Sequence, residues 1–234
     1  MTLQVDVVSD VICPWCFVGK RRLEKAIAEL GPEYLVRVAW HPFELNPDMP
    51  VEGISRREYR TRKFGSWERS QELDRQVAFA GLEDGIHFAH PLMERTPNTF
   101  AAHRLLWLAG RQGLQGAVAE KLFRGYFEEG LDVGQIENLH RIGSETGLSA
   151  LDLDGVLHGI VGAAEVRAEE EAFRQAGISG VPYFIINGRL AVSGAQPPEI
   201  MLGALIRAAR EAEDPPAADP AGGVCTGSDP GNCG

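Results

Sequence analysis

Two cysteines three positions apart, Cys13 and Cys16, follow directly on a short apolar strand, and this placement restricts the architecture more than any other feature of the chain. Leu3, Val5 and Val7 alternate with Gln4 and Asp6, and Val7-Val8 closes the run, the pattern of a buried strand. After Cys13-Pro14-Trp15-Cys16, residues Leu23, Ile27 and Leu30 fall at helical spacing, and Gly31-Pro32 ends the helix. Tyr34 to Trp40 is rich in β-branched and aromatic residues and reads as a second strand. The start of the chain is therefore a βαβ unit with C-x-x-C at the strand-to-helix turn.

That position suits redox chemistry. The thiolate is the reactive form of a cysteine. The first turn of a helix offers free N–H groups and the positive end of the dipole, and proline is tolerated there because its missing N–H costs nothing. Cys13 is assigned as nucleophile and Cys16, one turn on, as the resolving thiol. Lys20 and Arg21 lie too far along the helix to take part. A zinc site would need a second close pair, whereas Cys225 and Cys233 are widely spaced near the C-terminus; no metal and no cofactor are expected.

From about Ser55 to Gln175 the pattern turns helical. Apolar stripes run through Leu105, Trp107 and Leu108, through Leu122, Phe123, Tyr126 and Phe127, and through Ile136, Leu139 and Ile142, with Gly81, Gly113, Gly130 and Gly147 as breaks. Ser149 to Asp152 reads as a capped helix start. Strand character returns at Val181 to Ile186, Asn187-Gly188 signals a hairpin, and Arg189 to Val192 is the return strand. Pro197-Pro198 opens a last helix with Ile200, Met201, Ala204, Leu205 and Ala208 on its apolar side. The two outer pieces must meet, because neither buries a core alone. The expected class is α/β, a thioredoxin-like fold with a large all-helical insertion. Residues 1–54 and 176–210 form the discontinuous thioredoxin-like domain, 55–175 the insertion, and 211–234 a flexible tail carrying the second cysteine pair.

Composition narrows the partners. The 234 residues carry a net charge of −10, the reverse of what a phosphate backbone demands, so nucleic acid is not expected. No apolar run approaches a membrane span. The N-terminus shows neither a basic nor an apolar signal region, which leads to a cytoplasmic expectation. Four cysteines are too few for a disulfide framework in a chain of this length.

Four stretches specify more. Asp10-Val11-Ile12-Cys13-Pro14-Trp15-Cys16, the run Trp40 to Pro50 (W-H-P-F-E-L-N-P-D-M-P), Thr96 to Leu105 (T-P-N-T-F-A-A-H-R-L), and Gly180-Val181-Pro182-Tyr183-Phe184 with Val192 to Pro198 (V-S-G-A-Q-P-P) together resemble the FrnE group of the DsbA family, over about residues 3–210. The resemblance implies protein thiol–disulfide oxidoreductase activity, with protein thiols or disulfides as substrates and a thiol reductant or oxidant for recycling. It implies that the Val181–Pro182 bond is cis and faces the cysteines, where it receives the partner's extended backbone. Val181, Pro182, Pro14, Trp15, Phe43, Asn98 and His103 are the expected substrate-binding residues. Several residues carry two readings: Asn98 and Thr99 line the groove or cap the helix at Phe100; His103 faces the groove or is a packed histidine; Trp15, Trp40 and Phe43 form an apolar platform around the motif, or Trp40 is core; Asp10 opposes the thiolate or relays the Cys16 proton, or is a turn or cap residue. Family members often carry histidine in place of Trp15. Tryptophan offers no positive charge, so a less oxidising couple is expected here.

The same superfamily branch includes glutathione-dependent 2-hydroxychromene-2-carboxylate isomerases, which carry serine at the position of Cys13 and lack the resolving cysteine. That isomerisation, or simple holding of unfolded clients as a chaperone, are the alternatives. Cys225 and Cys233 lie beyond the resemblance. Two readings stand for them: a second redox pair exchanging with Cys13–Cys16, within one chain or across a homodimer through the tail, and two exposed thiols.

Overall fold

The computed structural model describes residues 1–213. Of the expected tail, residues 214–234, Cys225 and Cys233 included, fall outside the described residues.

Strand β1 (Thr2–Ser9) leads into helix α1 (Pro14–Glu29) and strand β2 (Leu35–Pro42). The chain then enters a helical region. A two-residue strand β3 (Ile54–Ser55) precedes α2 (Arg56–Phe64) and α3 (Trp67–Glu83). A 3-10 turn at His90–Leu92 and a second short strand β4 (Arg95–Thr96) precede α4 (Phe100–Arg111), α5 (Gln115–Glu129), α6 (Ile136–Glu145), α7 (Ala150–Leu157) and α8 (Ala163–Gln175). Strands β5 (Tyr183–Ile186) and β6 (Leu190–Ser193) and helix α9 (Pro198–Glu213) complete the described chain.

The main sheet has the order β2-β1-β5-β6. β1 runs parallel to β2 in the register Val5↔Val38, and antiparallel to β5 in the register Val7↔Phe184. The alternation read in β1 is its burial pattern: Leu3, Val5 and Val7 are fully buried and Gln4 and Asp6 only partly. Val8 points the other way, into a smaller apolar group with Phe43 and Ile178. Asn187 at φ 50° and Gly188 at φ 66° turn the chain between β5 and β6, the left-handed pair that an Asn-Gly hairpin requires. This is the thioredoxin fold with its helical insertion, an α/β architecture, and its two ends meet as the strand pairing demands.

Two boundaries differ from the sequence reading. The segment expected to be all-helical contains the β3–β4 ladder, with Ile54 opposite Thr96 and Ser55 opposite Arg95; it ties the start of the insertion to the approach to α4, a long-range pairing that local periodicity does not reveal. Helix α9 also runs past Arg210 to Glu213. Glu211 and Ala212 are compatible with helix, and Arg207 reaches Glu211 across one turn at 2.7 Å.

Candidate active site

Cys13 is the N-cap of α1, with extended backbone (φ −86°, ψ 113°) and Pro14 in the first turn. Its N–H donates to the Asp10 carbonyl at 3.0 Å, and its carbonyl accepts from Cys16 N–H at 3.0 Å. The turn at Asp10 thus hands the strand to the helix and leaves the Cys13 sulfur at the helix start. Its thiol donates to the Val181 carbonyl across 3.6 Å. The Val181–Pro182 peptide is cis. Cys13, Val181 and Pro182 therefore come together from opposite ends of the chain, as the resemblance implies.

Gly19 explains how the helix gets this close to the β5 side. A Cβ at that position would stand 3.0 Å from the Phe184 ring and 3.1 Å from Pro182 Cγ. Only a residue with no side chain lets α1 lie directly on the proline.

The two thiols, both free, differ in environment. Cys13 is 5% exposed and Cys16 is fully buried. Burial pushes the Cys16 thiol well above its ordinary value, and the neighbouring Cys13 sulfur pushes the same way; the Asp10 backbone N–H and the Ser9 hydroxyl oppose the rise without reversing it. Cys16 is thus a protonated, enclosed thiol one turn from the reachable one, which suits the resolving role.

Asp10 is more than a turn residue. Its carboxylate is fully buried, accepts from Leu45 N–H at 2.8 Å and from Ile12 N–H at 3.4 Å. His103 Nε2 stands 3.6 Å from it, within charge range but beyond a hydrogen bond, and neither ring nitrogen of His103 has a partner. Glu44 joins this group: it is 1% exposed and its carboxyl is pushed up to about 7, chiefly by burial, with Glu170 and Asp10 adding to the rise and His103 and Arg167 opposing it. Sequence reading placed Glu44 only inside a family stretch and missed this buried cluster, because the partners come from four separate segments.

The remaining expected residues divide. Pro14 and Trp15 line a pocket of about 290 Å³ together with Cys13. Phe43 is buried under the site, its ring covered by the Arg174 guanidinium at 4.2 Å. Asn98 caps α4, accepting from Phe100 N–H at 3.0 Å, and donates to the Met49 carbonyl at 2.8 Å; Thr99 makes no side-chain capping bond. Trp40 is core, set edge-on to Phe123 at 5.8 Å. Lys20 is turned away from the thiols, paired with Glu24 and Glu120 at 2.5 Å each. Among the described residues no group of three or more His, Cys, Asp or Glu side chains is arranged to hold a metal ion, and no helix is long and apolar enough to cross a membrane.

Comparison with known proteins places this geometry. The uncharacterized protein YwbO of Bacillus subtilis (strain 168) is 29% identical over 202 residues, covering 83% of this chain and 92% of its own. The crystal structure of a probable DsbA oxidoreductase from Streptomyces coelicolor superposes with a TM-score of 0.82 at 34% identity, over 89% of this chain and 91% of that one. A 2-hydroxychromene-2-carboxylate isomerase shares the fold, with a TM-score of 0.66 at 14% identity over 90% of this chain and 98% of its own. The model of the DSBA-like thioredoxin domain matches residues 4–205, and the chain belongs to that family.

Proposed function

We propose that this chain is a protein thiol–disulfide oxidoreductase of the FrnE type, working through Cys13 and Cys16. The observation that carries the reading is the Cys13 sulfur at the start of α1, 3.6 Å from the Val181 carbonyl beside cis Pro182, with a buried second thiol one turn behind it. An extended client segment laid along Val181 would bring its own sulfur to Cys13. In the oxidising direction, a client thiolate attacks the Cys13 sulfur of the Cys13–Cys16 disulfide and expels Cys16, which takes up a proton. A second client thiolate then attacks the client sulfur of the mixed disulfide and expels Cys13. Two electrons pass from client to enzyme; the reductive direction is the reverse.

The isomerase and chaperone alternatives do not use a cysteine pair. Cys13→Ser is expected to abolish disulfide exchange with a reduced or oxidised protein substrate, and Cys16→Ser to accumulate the mixed disulfide on Cys13. Full exchange activity in Cys13→Ser would overturn the proposal, and glutathione-dependent isomerisation surviving in that variant would favour the second reading. A reducing, cytoplasmic setting belongs to the same proposal, supported by the scarcity of cysteine in the chain.

A further inference from the structure

The pocket beside Cys13 has a charged wall that thiol exchange does not itself require. Cys13, Pro14 and Trp15 form one side, and Arg56, Arg60 and Lys63 of α2 line it from the insertion. Arg56 is 4% exposed. Its Nη2 donates to both oxygens of Asp74, at 2.9 and 2.8 Å. Arg60 is 2.8 Å from the same carboxylate through Nη2, which also donates to the Ser70 carbonyl at 3.2 Å, and its Nε donates to Ser70 Oγ at 2.5 Å. Lys63, exposed at the rim, donates to the Tyr59 hydroxyl at 2.6 Å. Among the residues lining the pocket, three cations therefore face one anion, Asp74.

His90 does not alter that balance. It stands 3.7 Å from Asp74, and burial lowers its pKa to about 4, so it is neutral near pH 7. The Arg60 guanidinium is itself disfavoured, first by burial and then by Arg56. Asp74 occupies one nitrogen of Arg56, while a guanidinium carries five donors in a fixed fork that fits a carboxylate. Placing two such groups around a single aspartate leaves a positive, partly dry surface that an incoming anion would satisfy. At about 290 Å³ the pocket lies at the small end of ligand sites and suits a small molecule rather than a folded surface.

We infer that this pocket recognises a small acidic thiol or its disulfide, with the carboxylate held by Arg56, Arg60 and Lys63 while its sulfur reacts at Cys13. The inference rests on the exchange chemistry proposed above and names the small partner of that chemistry. With a small disulfide, the Cys13 thiolate attacks one sulfur, the Cys13–sulfur bond forms, and the first small thiolate leaves and is protonated by solvent. Cys16 then gives its proton to solvent and attacks Cys13, releasing the second small thiolate. Two electrons pass from the cysteine pair to the small disulfide, which becomes two thiols.

The test uses the reduced full-length protein and three probes: dithiodiglycolate (anionic), bis(2-hydroxyethyl) disulfide (neutral) and cystamine (cationic). Oxidation rate constants are each divided by the rate of the same probe with a free small dithiol, which removes intrinsic reactivity. The anionic probe is expected to exceed the neutral one by about tenfold at low salt, with cystamine slowest and the spread shrinking as salt rises. Lys63→Gln is expected to cut the anionic-to-neutral ratio about threefold, and Arg60→Gln to bring it near one. Arg60 is tied to Asp74 and Ser70, so Arg60→Gln carries a risk to folding; Lys63 is exposed and its variant carries the test alone if need be. Equal normalised rates in the wild type, or a preference that neither variant moves, would overturn the inference. So would discrimination confined to a fourth probe, a peptide disulfide flanked by aspartates, which would move the site to an acidic client segment. Failure of all three probes to oxidise the Cys13–Cys16 pair would instead sink the exchange proposal on which this one rests.

Discussion

Ionising the Cys16 thiol inside its closed site would set a negative charge beside the Cys13 sulfur with no water to stabilise it, and this asymmetry is what the surrounding residues impose on two otherwise identical groups. Cys13 retains the residual exposure and the helix start. Alkylation of the reduced protein near neutral pH should label Cys13 first, with Cys16 modified only after unfolding. Mass mapping of the first adduct checks this, and an adduct on Cys16 would reverse the two roles. Glu44 ties the same buried cluster to pH. Its carboxyl holds its proton to about pH 7 in the folded chain, whereas an unfolded glutamate releases it near 4.3. The unfolded chain therefore binds fewer protons between those values, and stability falls as pH rises through that window, by at most roughly 1.4 kcal/mol per pH unit. Glu44→Gln mimics the protonated form. It should leave stability near pH 4 little changed and raise it increasingly above that, up to pH 8, relative to wild type. The same stability difference between the two proteins at pH 4 and pH 8, by urea unfolding, would contradict the assignment.

Helix α1 shows why part of the site is legible in a sequence and part is not. Its start, its proline and its cysteine spacing are local, and they appear in the structure at the positions read from the chain. So do the Asn187-Gly188 turn and the Ser149 cap, whose hydroxyl accepts from Asp152 N–H. The demands on α2 are not local. R-R-E-Y-R-T-R-K reads as a solvated charged face, yet Arg56 is buried and shares Asp74 with Arg60 because α3 packs back on α2 and brings that carboxylate underneath. Gly19 is another silent position, since a glycine within a helix looks like a mild defect until the Phe184 ring is seen against it. Gly19→Val would force α1 away from β5. The overpacking cost of about 1–3 kcal/mol exceeds the roughly 0.5 kcal/mol by which valine is the better helix former, so the variant should be less stable. Exchange should slow as Pro182 loses its place beside Cys13. Wild-type stability with wild-type turnover in Gly19→Val would show that the close approach has no mechanical role.

Across the whole molecule, the helical insertion and the sheet share one hydrophobic core instead of owning two. Phe17 of α1, next to Cys16, stacks on Phe123 of α5 at 5.4 Å with planes 3° apart, and on Phe127 at 6.0 Å. Phe123 in turn meets Trp40 of β2. The charged link runs beside it, Lys20 and Arg21 of α1 both reaching Glu120 of α5 at 2.5 Å. Separating insertion from sheet would expose Phe17, Phe123 and Trp40 together, at roughly 2 kcal/mol or more for each large side chain, and would take Glu120 from Lys20, leaving it only Glu24 of its own helix. The two parts should therefore unfold as one cooperative unit despite the interrupted sequence. Far-UV circular dichroism, weighted towards the insertion helices, and the fluorescence of Trp40 in a variant with Trp15, Trp67 and Trp107 replaced by Phe should give superimposable urea transitions. Phe123→Ala should shift both by the same amount, a loss of about 3–5 kcal/mol, because the cavity opens at the seam and both sides border it. A helix transition that separates from the tryptophan transition, or a Phe123→Ala effect confined to one signal, would mean that the insertion folds on its own and that its hold on the Cys13 pocket is a docking equilibrium.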